Sequence, residues 1–259
     1  MNILVFDSGI GGLTVLEQIQ QRLPHSHYTY LFDNARLPYG ELSEQTLVDG
    51  ALQLILPVSE KVRADIIVIA CNTASTILLP QLRARTSIPV VGVVPAIKPA
   101  AQISITKRIG LLATPATVSR AYTQDLIDQF AAQCFVGLFG SSELVEMAEA
   151  KMAGKPIDLV RLSQIIAPII EANIDTLVLG CTHFPILAAE IKSALGHKVQ
   201  LLDSGLAIAA RVVELSGVTE SAVERNKATG SMKAFYTTDI DEGLRNTLTR
   251  WGFTTVQPY

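Results

Sequence analysis

Cysteine is scarce in this chain: three in 259 residues, widely spaced and odd in number (Cys71, Cys134, Cys181). That excludes a disulfide framework and predicts free thiols in a reducing compartment. Excess positive charge is missing too. Lys plus Arg number 21 against 24 Asp plus Glu, a formal charge of −3. With no basic stripe, direct nucleic-acid binding is not expected; with no polybasic patch, neither is a membrane-surface site. The apolar run near Ile66 to Ala70 is far shorter than a membrane span requires. The opening Met-Asn-Ile-Leu-Val-Phe-Asp has no positive region and no small-residue cleavage site. No signal peptide is read there, and a cytoplasmic location is expected.

What is present points to a folded globular protein. Hydrophobic residues make up 49% and charged residues 17%, a balance that favours a packed core over disorder. The length allows one large domain or two small ones. β-branched runs predict strands at Asn2–Phe6, Tyr28–Phe32, Asp65–Ala70, Val90–Val91, Lys107–Ala113, Cys134–Leu138, Asp175–Leu179 and Lys198–Leu201. Between them, apolar residues at helical spacing predict helices such as Leu13–Leu23, Ser43–Val62, Val118–Phe130 and Leu159–Ala172. Such alternation implies parallel sheets covered by helices on both faces, an α/β fold. Asp33–Leu42, around Pro38-Tyr39-Gly40, reads as a polar loop.

A shift of 110 positions brings two blocks into line: Asp65-Ile-Ile-Val-Ile-Ala-Cys71-Asn72-Thr73 and Asp175-Thr-Leu-Val-Leu-Gly-Cys181-Thr182-His183. Each is an Asp, a buried strand, a small residue, a cysteine, a polar residue and a helix start. A weaker echo relates Asn2–Asp7 to Arg108–Thr114. The chain is therefore read as two similar α/β halves.

In parallel α/β sheets, ligands sit beyond the carboxyl ends of the strands. Asp7 and Ser8, Cys71, and Cys181 with His183 all fall at such ends. One cysteine there is more often core packing, since free cysteine is commonly buried. Two at the same point of a repeated unit favour chemistry, and a helix N-terminus behind each thiol is expected to lower its pKa. Cys134 is assigned to packing. Asp7 could cap the helix that opens at Gly11 or Gly12, or help a nearby thiol. His183 could be an ordinary first-turn residue, or the acid–base partner of Cys181. The turn Asp7-Ser8-Gly9-Ile10-Gly11-Gly12 matches neither the dinucleotide fingerprint nor a Walker loop. Its backbone N–H groups would suit a substrate carboxylate. The cysteines lack the C-x₂-C spacing of a zinc site, and no lysine lies in these motifs for a pyridoxal Schiff base. No metal and no cofactor are expected.

Four motifs together carry a family resemblance. They are Phe6-Asp7-Ser8-Gly9-Ile10-Gly11-Gly12-Leu13, Pro38-Tyr39-Gly40, Ala70-Cys71-Asn72-Thr73-Ala74-Ser75 and Leu179-Gly180-Cys181-Thr182-His183-Phe184-Pro185. In order and spacing, over nearly the whole chain, they resemble the glutamate racemases of the aspartate/glutamate racemase superfamily. The resemblance implies two similar doubly wound parallel-sheet domains with the active site in the cleft between them. The expected segments are 1–95 plus 206–259 and 96–205, with crossovers near Pro95 and Gly205. It implies that Cys71 and Cys181 are the catalytic acid–base pair, Asp7 assisting the first and His183 the second. It implies that Ser8, Tyr39, Gly40, Asn72, Thr73 and Thr182 bind glutamate, with Asp7 and His183 beside them. The turn of Thr114 and Thr117 looks like a further part of that site.

The implied activity is cofactor-independent interconversion of L- and D-glutamate, one thiolate taking the α-proton from one face and the opposed thiol delivering a proton to the other. A role in supplying D-glutamate for the bacterial cell wall and a homodimeric state come with the resemblance. The chain starts almost at the first strand, without the N-terminal extension of the relatives that a muramyl-peptide nucleotide activates. Its block Gly140 to Glu149 nevertheless looks like theirs, so such an activator is an expected partner. Three rival readings stay open: a racemase of aspartate, a cysteine hydrolase using Cys181 and His183, and a binding protein that keeps the cleft without catalysis.

Overall fold

Alternation along the first strand sets the layering. In β1 (Asn2–Asp7), Ile3 and Val5 join one apolar cluster while Leu4 and Phe6 join another. A strand buried on both faces belongs inside a parallel sheet with helices on each side. The computed structural model, which describes residues 1–196, 198–218 and 230–259, has that arrangement twice.

The first sheet has six parallel strands: β1, β2 (His27–Phe32), β3 (Ile66–Ile69), β4 (Val90–Gly92), β9 (Met232–Tyr236) and β10 (Thr255–Pro258). Their order is β10-β9-β2-β1-β3-β4. The second has four: β5 (Arg108–Ala113), β6 (Phe135–Gly140), β7 (Thr176–Leu179) and β8 (Gln200–Leu202), in the order β6-β5-β7-β8. Without β9 and β10, the first sheet reads β2-β1-β3-β4, the same path as the second. The sequence repeat is thus a repeat of topology.

The phase of burial repeats with it. Ile67, Ile69 and Cys71 share one cluster of the first half; Leu177, Leu179 and Cys181 share one cluster of the second. The aspartates that open the two blocks are structural. Asp65 accepts a hydrogen bond from the Asn2 backbone N–H at 2.7 Å. Asp175 accepts from Ser104 Oγ at 2.6 Å and from the Thr106 N–H at 2.7 Å. Each carboxylate ties the start of its central strand to the chain beside it.

All eight expected strands are present, displaced by at most two residues at their ends. β9 and β10 were not expected. β10 is a short edge strand that ends in proline, and its last residues are exposed, so neither length nor periodicity marks it. The single helix expected over Val118–Phe130 is two, α5 (Pro115–Ser119) and α6 (Ala121–Phe130). Arg120 between them is extended, with φ −76° and ψ 143°. The polar loop Asp33–Leu42 holds two short 3-10 turns, Asn34–Arg36 and Tyr39–Glu41. Residues 219–229, part of the segment expected to return to the first half, lie outside the described residues. Among the described residues, no helix is long and apolar enough to cross a membrane.

Candidate active site

The strand order reverses between β1 and β3 in the first sheet and between β5 and β7 in the second. Crevices open at such switch points, beyond the carboxyl ends of the strands. Asp7 and Ser8 leave β1, Cys71 follows β3, Thr114 follows β5, and Cys181 follows β7. Both crevices face one cavity, lined by Ser8, Tyr39, Cys71, Asn72, Thr73 and Thr114 together with Cys181, Thr182 and His183. Gly40 lines it too. The sequence-predicted set converges there, except that Asp7 stands just behind, bonded to Thr182. The enclosed space is about 10 Å³, room for one water-sized sphere.

Cys71 caps helix α3 (Asn72–Arg83): its sulfur accepts from the Ala74 N–H at 3.5 Å. Ser8 Oγ lies 3.8 Å from the same sulfur. The cap acts in the expected direction, but it does not decide the thiol pKa. Burial pushes the Cys71 thiol well up, and the Asp7 carboxylate adds to this; the bonds from Ala74 and Ser8 only partly oppose them. Cys181 departs from the expected pattern in another way. The turn after it is a short 3-10 segment, Phe184–Leu187, and helix α9 (Ala188–Leu195) starts only afterwards. Its nearest polar partner is the His183 ring, with Nδ1 3.8 Å from the sulfur.

His183 is 2% exposed, and its other nitrogen, Nε2, lies 2.7 Å from Glu149 Oε1. Burial alone would lower the imidazole pKa. The bonds to Cys181 and Glu149 outweigh it and hold the pKa well above the usual value. Glu149, on helix α7 (Glu143–Met152), was not singled out as a site residue in the sequence; the pattern Glu143, Glu146, Glu149 looks like a solvated helix face. Its Oε1 also accepts from the Ile10 backbone N–H at 2.9 Å. The glycine-rich turn therefore receives an anion, but it is the protein's own carboxylate. Gly9 and Gly11 let this turn lie against Glu149 and His183, where a Cβ would collide with those side chains.

Asp7 is fully buried and does not cap the first helix, α1 (Leu13–Arg22), whose cap residue is Gly12. Its Oδ1 accepts from the Ser8 N–H at 2.7 Å, and its Oδ2 from Thr182 Oγ1 at 2.9 Å. Burial raises the Asp7 carboxyl pKa; His183 and the donors pull it back only in part. The Asp7 charge opposes ionisation of Cys71, so the two groups do not readily carry negative charge together.

Tyr39 is among the residues that line the cavity. Its hydroxyl donates to Asp33 Oδ2 at 2.7 Å. Asp33 is itself fully buried and takes Arg36 Nη1 at 2.7 Å and Thr237 Oγ1 at 2.8 Å. Thr73 and Thr114 line the cavity, and Thr117, fully buried and not among the lining residues, brings its hydroxyl within 3.0–3.3 Å of theirs. Asn72 is 5% exposed, and its Oδ1 has no hydrogen-bond partner among the described residues. Cys134 is half-buried against an apolar cluster, away from the cavity. Among the described residues there is no group of His, Cys, Asp and Glu placed to hold a metal ion.

Two parallel α/β halves that contribute matching strand ends to one shared pocket define a two-domain α/β enzyme with its site in the cleft. The profile of Asp/Glu/Hydantoin racemases matches residues 5–212. The chain is 61% identical to a glutamate racemase of Shewanella sp. (strain ANA-3), covering 98% of this chain and 95% of that one. It superposes on the crystal structure of Escherichia coli glutamate racemase in complex with L-glutamate and the activator UDP-MurNAc-Ala. The TM-score is 0.91 at 43% identity, over 99% of this chain and 97% of the other. The Francisella tularensis glutamate racemase in complex with D-glutamate superposes with a TM-score of 0.79 at 26% identity, over 100% and 97%. The chain belongs to the aspartate/glutamate racemase family, a family of isomerases.

Proposed function

We propose that this chain interconverts L- and D-glutamate by a two-thiol proton transfer between Cys71 and Cys181. The observation that carries the reading is that both cysteines, from matching ends of repeated strands, line one small cavity. One thiolate removes the α-proton, and the opposed thiol returns a proton to the other face of the same carbon. Asp7 holds or receives the proton at Cys71, and the His183 ring, held by Glu149, orients and assists Cys181. The hydroxyls of Thr73 and Thr114, Ser8, Asn72, Thr182 and the backbone of Tyr39 and Gly40 bind the carboxylates and the amino group. Aimed at the reacting carbon in a water-poor site, these donors stabilise the negative charge that develops there.

The cavity is too small for an amino acid as it stands, so binding requires the walls to part and close again. In this reading the walls are residues 1–95 with 206–259 on one side and 96–205 on the other. The product supplies D-glutamate for the cell wall. A muramyl-peptide nucleotide activates the chain, an idea supported by the activator in the E. coli neighbour. The working unit is a homodimer.

Circular dichroism of glutamate and aspartate, each mixed separately with purified protein and no added cofactor, tests the substrate. Loss of optical rotation with glutamate is expected. In deuterated water the new enantiomer should carry deuterium at the α-carbon. An unlabelled product, or an acyl-thioester trapped on Cys181, overturns the mechanism. A UDP-MurNAc-Ala titration of the rate and sedimentation equilibrium check the activator and the dimer.

A further inference from the structure

Behind the substrate cavity lies a second one, also about 10 Å³. Asn72, Cys181 and Thr182 line both, so they form the partition between front and back. The far wall of the back cavity is made by Thr14, Val93, Asp203 and Ser204. Asp203 is exposed and stands at the mouth, directly after β8. Its Oδ1 accepts from the Gly205 N–H at 2.7 Å, which fixes the carboxylate at the start of helix α10 (Gly205–Ser216). Ser204 Oγ donates to the Val94 carbonyl at 2.6 Å, so the two strand-to-helix passages are pinned together there.

The size and the lining suit water. A space of this size holds one molecule if polar partners surround it. Beside the apolar Val15, Val93, Leu179 and Pro185, the lining offers the oxygens of Thr14, Thr182, Ser204 and Asp203 as acceptors, their hydroxyl hydrogens being already donated within the protein, and Asn72, in the partition, has a buried Oδ1 with no protein donor among the described residues.

Two-thiol racemisation needs such a route. Each conversion leaves one thiol with a proton it did not start with and the other without the proton it gave. To convert the same enantiomer again, one thiol must release a proton to solvent and the other must take one from solvent. The front cavity holds substrate and product while they are bound; after release it is the competing path, and an unchanged kcat in the variants below would point to it. On the third side of Cys181, Glu149 Oε1 already accepts from both Ile10 and His183, and that arm is built to keep its proton.

We infer that the back cavity is the route by which Cys181 exchanges its proton with solvent, with Asp203 as the relay at its mouth. This rests on the two-thiol reading. In one half of the cycle the Cys181 thiol gives its proton through a cavity water to the Asp203 carboxylate, which releases it to bulk water. In the other half the same groups return a proton to the thiolate. Asp203 is a positioning and relay residue and touches no substrate.

The test uses the whole protein, with initial rates in both directions over a range of glutamate concentrations. Wild type is compared with Asp203→Leu, which covers the mouth with an apolar side chain. A second variant, Asp203→Asn, keeps the oxygen that caps Gly205 and so preserves the fold. Proton return follows product release, so it limits kcat and not kcat/KM. The expected result is a kcat lowered at least about tenfold in Asp203→Leu and by a smaller factor in Asp203→Asn. In both, kcat/KM stays within about twofold of wild type. In Asp203→Asn, raising the concentration of a small imidazole buffer restores kcat. Unchanged kcat in the folded variants overturns the route, as does an equal fall of kcat and kcat/KM. Wild-type protein that shows no racemisation at all overturns the two-thiol reading itself.

Discussion

Thr182 donates its hydroxyl hydrogen to the Asp7 carboxylate at 2.9 Å, across the cleft. Thr182 follows the last central strand of the second half, and Asp7 ends the first strand of the first half. Each residue immediately precedes or follows a group at the reaction centre, Ser8 on one side and Cys181 on the other. In the proposed mechanism this bond couples closure of the cleft to placement of both thiols' helpers. Thr182→Val should raise KM and lower kcat together, since it frees a buried carboxylate and loosens the closed state. Thr182→Ser should recover most of both. Steady-state kinetics of the two variants measure this.

The cysteines are the direct test of the mechanism. Cys71→Ala and Cys181→Ala should each cut racemisation by at least about 10²–10⁴-fold. Elimination from an analogue with a leaving group next to the α-carbon needs only one base, so it should survive for one enantiomer in each variant. Near-full racemisation by either variant rules out the pair.

His183 and Glu149 should act unequally on the two directions. His183→Asn removes the ring that contacts Cys181, whereas Asp7 feels that ring only through space, so one direction should fall more than the other. Glu149→Gln leaves an oxygen for Ile10 and removes the charge that favours the imidazolium, so it should lower the same direction by a smaller factor. Symmetric losses would separate His183 from Cys181.

The His183 pair also has a pH signature in stability. A folded-state pKa raised above the unfolded value means the folded state holds the proton more tightly. That contribution is fully present below the unfolded value, roughly 6.5, and is lost as pH rises through the raised folded value. Urea denaturation of wild type and His183→Asn should therefore converge as pH rises above the unfolded value and through the raised folded one. A difference that grows with pH contradicts the assignment.

Asp175 gives the opposite sign. Burial would raise its carboxyl pKa, but the bonds from Ser104, Thr106 and Thr176 hold it at about 2. Its contribution is present above the unfolded value of 3.8 and disappears as pH falls through about 2. Asp175→Asn should lower stability at neutral pH by about 1–2 kcal/mol and lose that deficit in strong acid. Chemical denaturation at neutral and acid pH reads the difference.

Much was legible before any coordinates. Two Asp–strand–Cys blocks 110 residues apart specify buried central strands with thiols at their ends, because period, β-branching and a small residue before the turn are local properties. From these came the α/β layers, the twofold plan and the nomination of Cys71, Cys181, Asp7 and His183. Glu149 could not be picked out, because on its own helix it looks like any surface carboxylate. It becomes a site residue only when the second half brings it to His183 and the turn of the first half brings it Ile10. Asp33 was likewise a loop residue until folding put Tyr39, Arg36 and the distant Thr237 around it.

What the amino-acid order determined by itself was therefore the identity of the strands and the reactive side chains, since these follow from local periodicity and chemical type. The tertiary structure alone decided the partners and the ionisation of those side chains. Burial raises Cys71 where a helix start alone would have lowered it, because solvation and through-space charge depend on everything packed around a group and not on its neighbours in the chain.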